Sequence, residues 1–241
     1  MRRIAAIAAS LVADAARRKL MWAVLGVGAV MALAIPSLPS YGVGVIGAIF
    51  REFSLAVVYA VSVLIVLALC ANRVPGEIER RTIYNLLSKR VARWEYLVGT
   101  WLGIFAVMGL LIVAFTAVNI VIGAVFYHDW MWRLAEGGVA IWFEVSVLAA
   151  AAIAISTRVG PVTVSMGALA FLVIGHAKSA FLLPSWLARF YPSLDVFSVI
   201  NPVAHGTGIT AAYGAVMLAV LVGWVVALLG IATIAFATRD L

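Results

Sequence analysis

Charged residues and cysteines are scarce in this chain, and each shortage excludes a class of protein. Only 11% of its 241 residues are charged, whereas 66% are hydrophobic. A soluble domain is about one quarter charged, because a folded chain of this size keeps a large surface in contact with water. The single cysteine, Cys70, excludes an intrachain disulfide and therefore a disulfide scaffold. The composition predicts an integral membrane protein.

Motifs that would indicate an enzyme are also missing. The sequence contains no G-x-x-x-x-G-K-[ST] loop to bind nucleotide phosphates. It also contains no G-x-S-x-G turn to carry a serine nucleophile. We therefore expect a chain that is not an enzyme and that holds no cofactor or metal of its own. If ATP is used, another chain binds it.

Six apolar segments are candidates for membrane-spanning helices, each of which needs about 20 residues to cross the hydrocarbon core. We expect an all-α, polytopic protein with a single transmembrane domain over residues 1–241. Its predicted spans are 20–38, 55–70, 97–127, 139–157, 159–175 and 213–238. The third segment is longer than a bilayer requires, so we expect it to tilt or to project. Only a short turn at Arg158 separates the fourth and fifth, which predicts an antiparallel hairpin.

The basic residues lie mostly on one side of these spans. Four of the 17 Lys and Arg residues lie on the predicted outer side, namely Arg51, Arg133, Lys178 and Arg189. The others lie on the predicted inner side: Arg2, Arg3, Arg17, Arg18, Lys19, Arg73, Arg80, Arg81, Lys89, Arg90, Arg93, Arg158 and Arg239. Basic residues favour cytoplasmic loops, which explains the net charge of +7 without nucleic acid. We expect a multi-pass protein of the cell membrane (bacterial inner or plasma membrane) with both termini in the cytoplasm.

Residues 1–19 are predicted to form an amphipathic helix along the inner surface. Apolar and polar side chains separate at helical spacing onto two faces. The apolar face carries Ile4, Ile7, Ala8, Leu11 and Ala15, and the other carries Arg3, Ser10, Asp14 and Arg17. Such a helix lies in the headgroup region, with its Arg and Lys side chains toward anionic lipid. Membrane lipid is therefore an expected partner.

The segment between the second and third spans, residues 73–96, reads RVPGEIERRTIYNLLSKRVARWEY. Pro75 and Gly76 are expected to end the second helix, and Glu77 to open a new helix over 76–92. The apolar and charged positions of this helix separate only in part. Two interpretations remain open, a helix that packs on lipid headgroups and a docking helix for a cytoplasmic partner.

The same segment resembles a known family. The runs EIERRTIYNLLS (77–88) and RWEYLVG (93–99) are similar to the pattern that follows the second span in ABC-2 type transporter permeases. Six spans and an amphipathic helix at the start agree with that family in topology. The chain departs from the pattern at three positions: Arg81 replaces a common Gly, Arg90 a common Pro, and Thr100 a common Lys.

The resemblance implies the permease subunit of an ATP-driven transporter, most simply an exporter. In the family, the helix at 76–92 is the coupling helix, which sits in a cleft of a separate ATP-binding subunit. The implied complex has two ATP-binding subunits, which hold ATP and Mg²⁺, and two permease chains (a homodimer or two related chains). The coupling positions implied here are Glu77, Glu79, Arg80, Arg81, Ile83, Tyr84, Leu87 and Arg93.

Two other functions remain open from the sequence. The chain could be a non-transporting scaffold or an anchoring subunit of a larger complex. It could also be a secondary transporter without an ATPase, for which internal repeats, discontinuous helices and several buried charges are expected. The sequence shows no convincing repeat and one candidate buried charge.

That charge is Glu144, the carboxylate within the predicted fourth span. A helix starting at 139 would bury it about 7 Å along the axis, a depth at which charge is costly and is usually functional. We therefore consider it a candidate residue of the transport pathway, or one half of an ion pair with Arg51 or Arg133. Alternatively, the helix starts later and Glu144 lies at the outer interface.

Three histidines, His128, His176 and His205, fall on the predicted outer side. Imidazole is a common metal ligand, but their spacing matches no local metal motif. We interpret them as interfacial or loop residues rather than as a metal site. The stretch between the fifth and sixth spans is expected to hold short outer helices interrupted by prolines, the alternative being an ordinary surface loop.

Gly99 and Gly103 form a G-x-x-x-G pair at the start of the third span. Small residues at this spacing allow two helices to approach closely. The sequence leaves open whether they pack within one chain or between two copies.

Overall fold

The computed structural model describes residues 2–17, 46–79, 92–177 and 191–238, together with the isolated positions 26 and 30. All the regular secondary structure in these ranges is helical, as expected from the sequence. In chain order it comprises α1 (Arg2–Arg17), α2 (Ile46–Glu79), α3 (Arg93–Tyr127), α4 (Leu134–Ser156), α5 (Pro161–Ala177), a 3-10 helix (Leu194–Phe197), α6 (Ile200–Ala204) and α7 (Ala211–Ala237).

Four of the described helices are long and apolar enough to cross a membrane. They are α2 over Gly47–Ala71, α3, α4 and α7, which contain most of the predicted spans 55–70, 97–127, 139–157 and 213–238. α5 covers most of the predicted span 159–175, but with 17 residues it is shorter than these four. The predicted span 20–38 lies outside the described ranges.

α4 lies at the centre of the helix bundle, where it contacts α2, α3, α5 and α7. Its Ala149–Ala152 stretch is almost completely buried, because alanine side chains let neighbouring helices approach from several sides. Aromatic stacking holds α3 against α4: the Phe105 ring lies 4.3 Å from Trp142 and 5.2 Å from Trp101, between centroids. The indole of Trp142 also donates a hydrogen bond to the Phe105 carbonyl at 2.9 Å.

α1 packs against the first turns of α3. Its buried side chains, Ile7, Leu11 and Ala15, recur every fourth residue and so share one face. Gly99 and Gly103 of α3 lie beneath this face. The apolar face predicted for residues 1–19 therefore contacts protein, whereas the sequence led us to expect contact with lipid. The G-x-x-x-G pair is used within the chain.

The end of α2 differs from the expectation. α2 continues through Pro75 to Glu79, so the prediction that Pro75 and Gly76 end the helix is wrong. Proline removes one helical hydrogen bond and disfavours a helix interior, yet the residues on both sides of Pro75 are helical. Glu77 and Glu79 belong to the last turn of α2, and residues 80–91 of the predicted helix lie outside the described ranges.

Polar contacts fix the end of the bundle at which α3 finishes. Arg51 of α2 donates a hydrogen bond to the Ala204 carbonyl at 2.9 Å, and its guanidinium lies 3.6 Å from the Asp129 carboxylate. Glu136 of α4 accepts a hydrogen bond from the backbone N–H of Ile209 at 2.6 Å. These contacts hold α6, one of the short helices expected between the last two spans, and the segment that follows it over the ends of α2 and α4.

Arg93 organises the opposite end, where α3 begins. Its guanidinium donates hydrogen bonds to the carbonyls of Phe236 and Ala237 and lies over the Phe236 ring. The carboxyl end of a helix carries partial negative charge, which a cation stabilises. The start of α3 is itself capped by Glu95, which accepts a hydrogen bond from the Ala92 N–H at 3.0 Å. α3 and the end of α7 are therefore tied together.

Candidate functional site

Glu144 is buried inside the helix bundle. α4 begins at Leu134 rather than at the expected position 139, so Glu144 lies about 15 Å along the helix axis. The residue is 3% exposed. It is therefore enclosed by protein rather than placed at an interface at the end of α4.

Two side chains from neighbouring helices contact its carboxylate. The hydroxyl of Tyr59 on α2 donates a hydrogen bond to Glu144 Oε1 at 2.7 Å. His176 Nε2, in the last turn of α5, lies 3.4 Å from the same oxygen. We call Tyr59, Glu144 and His176 the Glu144 cluster. The ion pair with Arg51 or Arg133 that the sequence suggested is wrong, because Arg51 pairs with Asp129 and Arg133 lies against Gly208.

The cluster opens toward the surface through His176. The His176 side chain is 34% exposed, whereas that of Glu144 is 4% exposed. The other ring nitrogen of His176, Nδ1, lies 3.2 Å from the Leu172 carbonyl oxygen. Asp195, in the 3-10 helix, is close enough to act on Glu144 electrostatically. The buried carboxyl group thus has one polar contact from α2 and one from a partly exposed histidine of α5.

This arrangement can hold and move a proton. A tyrosine hydroxyl donates to a carboxylate, whereas an imidazole can either donate or accept through Nε2. Ionisable groups inside a membrane bundle are expensive and are usually tied to function. The cluster also connects three helices, α2, α4 and α5, so a change in its protonation acts on all three.

The remaining histidines do not join this site. His128 follows α3 in a left-handed backbone conformation, with φ of 55°, and the Nδ1 of His205 lies 3.0 Å from the Asn201 carbonyl oxygen. In the described ranges, no group of three or more His, Cys, Asp or Glu side chains could hold a metal ion. His176, expected to be an interfacial or loop residue, belongs instead to the Glu144 cluster.

The predicted coupling residues fall in two places. Glu77 and Glu79 lie in the last turn of α2, and Arg93 begins α3. The guanidinium of Arg93 contacts the end of α7, a contact that the sequence did not predict. The other coupling positions lie outside the described ranges: Arg80, Arg81, Ile83, Tyr84 and Leu87.

An apolar cavity of about 230 Å³ lies between α3 and α4, separate from the Glu144 cluster. Gly109 and Gly138 provide its space, and Trp142 forms part of its wall. No charged side chain lines it. The hydroxyl of Thr116, which also lines it, is buried and has no hydrogen-bond partner among the described residues. The cavity is suited to apolar groups.

The comparisons with known proteins identify no family for this chain. No protein-family model matches the chain, and no curated protein matches its sequence. The functional interpretation therefore depends on the residues themselves.

Sequence reasoning identified Glu144 but not its two partners. Tyr59 lies in the apolar run LAVVYAVSV, where it is one of two residues that carry a hydroxyl. A tyrosine hydroxyl inside a helix bundle usually has a hydrogen-bond partner, so Tyr59 could have been recognised as a candidate partner for a polar group on another helix. His176 at the end of the fifth apolar segment was a second such candidate. Their meeting at one carboxylate depends on how three helices pack.

Proposed function

We propose that the chain is the permease subunit of an ABC-2 type, ATP-driven exporter. In this proposal the chain crosses the cell membrane six times, with both termini in the cytoplasm. It works as a dimer, or with a related permease, beside two separate ATP-binding subunits that hold ATP and Mg²⁺. The four long apolar helices are compatible with such a membrane protein.

The observation that carries the proposal is the segment from Glu77 to Gly99, which is similar to the coupling region of that family. Its two ends are anchored differently. Glu79 ends α2, and Arg93 is tied to the end of α7. A partner that moves this segment would therefore act on α2 and on the contact between α3 and α7.

The continuity of α2 supports a mechanical link from this segment to the Glu144 cluster. One helix runs from Ile46 to Glu79 and includes Tyr59. About 30 Å of helix separates Tyr59 from Glu79. Because Tyr59 donates its hydrogen bond to Glu144, a displacement of α2 along or about its axis would change that contact. We therefore place Glu144 on the transport pathway.

The alternative is a non-transporting scaffold or anchoring subunit. A scaffold needs shape complementarity and apolar packing, neither of which requires a buried ionisable group. Glu144 is 3% exposed and is contacted by a tyrosine and a histidine. Since such a cluster is costly in a membrane bundle, its presence favours transport over scaffolding.

The test is an ATPase measurement on the complex purified with its ATP-binding subunit in lipid nanodiscs. Glu79→Lys reverses the charge at the end of α2, and Leu87→Ala truncates an expected apolar anchor. A true interface anchor contributes more than about 1 kcal/mol, so each change should weaken association at least about fivefold. The matched control is Glu52→Lys, an exposed position at the other end of the same helix.

The proposal predicts loss of the ATP-binding subunit, or ATPase activity that no longer responds to the permease, in both coupling variants. The Glu52→Lys complex should behave as the unaltered one does. If Glu79→Lys and Leu87→Ala both leave assembly and ATPase activity unchanged, the coupling assignment is wrong.

A further inference from the structure

The two nitrogens of His176 face two different acceptors. Nδ1 lies 3.2 Å from the Leu172 carbonyl oxygen, and Nε2 lies 3.4 Å from Glu144 Oε1. A carbonyl oxygen can only accept a hydrogen bond, so the Nδ1 contact requires a proton on Nδ1. In the neutral imidazole the other nitrogen, Nε2, then carries a lone pair.

With the proton of neutral His176 on Nδ1, the contact between Nε2 and Glu144 needs a further proton. A lone pair on Nε2 and an ionised Glu144 would be two acceptors facing each other, which repel. One proton between them turns the contact into a hydrogen bond. That proton lies either on Nε2, which gives an imidazolium beside a carboxylate, or on Oε1, which gives a carboxylic acid beside a neutral imidazole. The two forms contain the same number of protons.

We propose that Glu144 and His176 form a proton-binding site in which they share one exchangeable proton. The proton enters and leaves through His176, which is 34% exposed, because the Glu144 side chain is 4% exposed. His176 accepts the proton on Nε2 from a hydronium ion, which becomes water, and passes it to Oε1; on release the proton returns from Oε1 through Nε2 to water. Tyr59 keeps Oε1 in position by donating from α2.

Within the described ranges, other titratable groups act on the pair from α2 and from the 3-10 helix. On α2 the group that faces the carboxylate is Tyr59, a donor. The 3-10 helix contributes Asp195, a carboxylate that acts on Glu144 electrostatically and so favours keeping the proton in the pair. The Tyr191 hydroxyl is directed elsewhere, to the Phe171 carbonyl at 2.8 Å.

The shared proton determines whether α4 and α5 are held together at this point. With the proton present, Glu144 and His176 attract each other. Without it, the two acceptors repel, and the contact between the helices loosens. The site is thus a proton-controlled contact inside the bundle. This inference goes beyond the proposed transport function and does not depend on an ATP-binding partner.

Infrared spectroscopy of the full chain in lipid nanodiscs tests the site without substrate or nucleotide. The carboxylic-acid C=O band of Glu144 is identified by its loss in Glu144→Gln. Its pH response should follow that of the His176 ring bands, because the two groups share one proton. In His176→Gln the midpoint of the pH response of the Glu144 band should shift by more than about one pH unit, because coupled sites interact on this scale. The control His205→Gln should leave the band unchanged.

A second measurement uses the unaltered site, in case His176→Gln does not fold. The ring nitrogens of the chain's 3 histidines are labelled with ¹⁵N, and His176 is assigned by comparison with His128→Gln and His205→Gln. The proposal requires neutral His176 to carry its proton on Nδ1. A neutral form protonated on Nε2 would overturn the proposal. So would a Glu144 band that responds to pH in the same way in His176→Gln as in the control.

Discussion

Gly103 of α3 lies so close to Leu11 of α1 that a Cβ on the glycine would be 3.0 Å from the leucine Cβ. The backbone of Ala8 is almost as near, with its Cα and its carbonyl oxygen both 3.2 Å from that position. One turn earlier, a Cβ on Gly99 would likewise lie 3.0 Å from the Cβ of Ile7. α1 is thus held against α3 by two positions at which a side chain has no room.

Gly103→Val should displace α1 from α3. Overpacking of a close contact costs about 1–3 kcal/mol, and the backbone of Ala8 cannot rotate away as a flexible side chain would. We expect the amide hydrogens of α1 to exchange at least about fivefold faster, measured by hydrogen exchange in nanodiscs. The matched control is Gly223→Val in α7, where no atom lies within 4 Å of the added Cβ. Unchanged exchange in α1 would contradict the packing described here.

Tyr59→Phe should destabilise the bundle by removing the donor to Glu144. Leaving a buried carboxyl group without this hydrogen bond costs about 1–3 kcal/mol. We expect a lower midpoint of thermal unfolding in detergent, whereas Tyr127→Phe should change it little. The Tyr127 ring packs on Phe50, and no hydrogen bond of its hydroxyl is present among the described residues. Equal midpoints for the two variants would argue against a structural role for the Tyr59 hydroxyl.

Arg93→Met should loosen the end of α7. The substitution keeps much of the side-chain length but removes the cation that contacts the Phe236 and Ala237 carbonyls. A favourable charge at a helix end contributes about 0.3–1 kcal/mol and up to about 2 kcal/mol when partly buried. Hydrogen exchange in the last turn of α7 should therefore become several-fold faster. Arg17→Met, at an exposed position of α1, is the control, and the same exchange in both variants would refute the prediction.

Single cysteines in a Cys70→Ala background test the topology. Positions Ser37, Asp129 and Ser193 should react with a membrane-impermeant thiol reagent in intact cells, whereas Ser10, Ser88 and Thr238 should not. Asp129 follows the end of α3, and Ser10 belongs to α1, which packs on its start. The two residues thus lie at opposite ends of one long helix. Labelling of Ser10 or Ser88 from outside would reverse the orientation inferred from the basic residues.

In the described part of the chain each apolar run overlaps a helix, but most of the helices begin or end at other residues than the run. The run at 55–70 corresponds to α2, which begins at Ile46 and ends at Glu79. Charged residues such as Arg51 and Arg73 end an apolar run without ending a helix. Arg51 is accommodated by Asp129, and Arg73 by Asp14 at 3.0 Å. These partners come from distant parts of the chain, so a local pattern does not reveal them.

Only part of the candidate site could be predicted, because its residues also come from distant parts of the chain. Glu144 was recognisable because a carboxylate inside an apolar run is conspicuous and costly. Its partners, Tyr59 and His176, lie on two other helices, and only the packing of α2 and α5 against α4 brings them together. The sequence instead suggested Arg51 or Arg133, because opposite charge is the simplest partner to expect without a fold. The fold placed those two arginines at the bundle end.

The composition of the complex extracted from its native membrane tests the proposed function most directly. The chain, carrying an affinity tag, is purified in a mild detergent, and the intact complex is weighed by native mass spectrometry with and without Mg²⁺ and ATP. We predict two permease chains (two copies of this chain, or one with a related permease) together with two copies of an ATP-binding chain. An intact, folded preparation that contains this chain but no ATP-binding subunit would contradict the account.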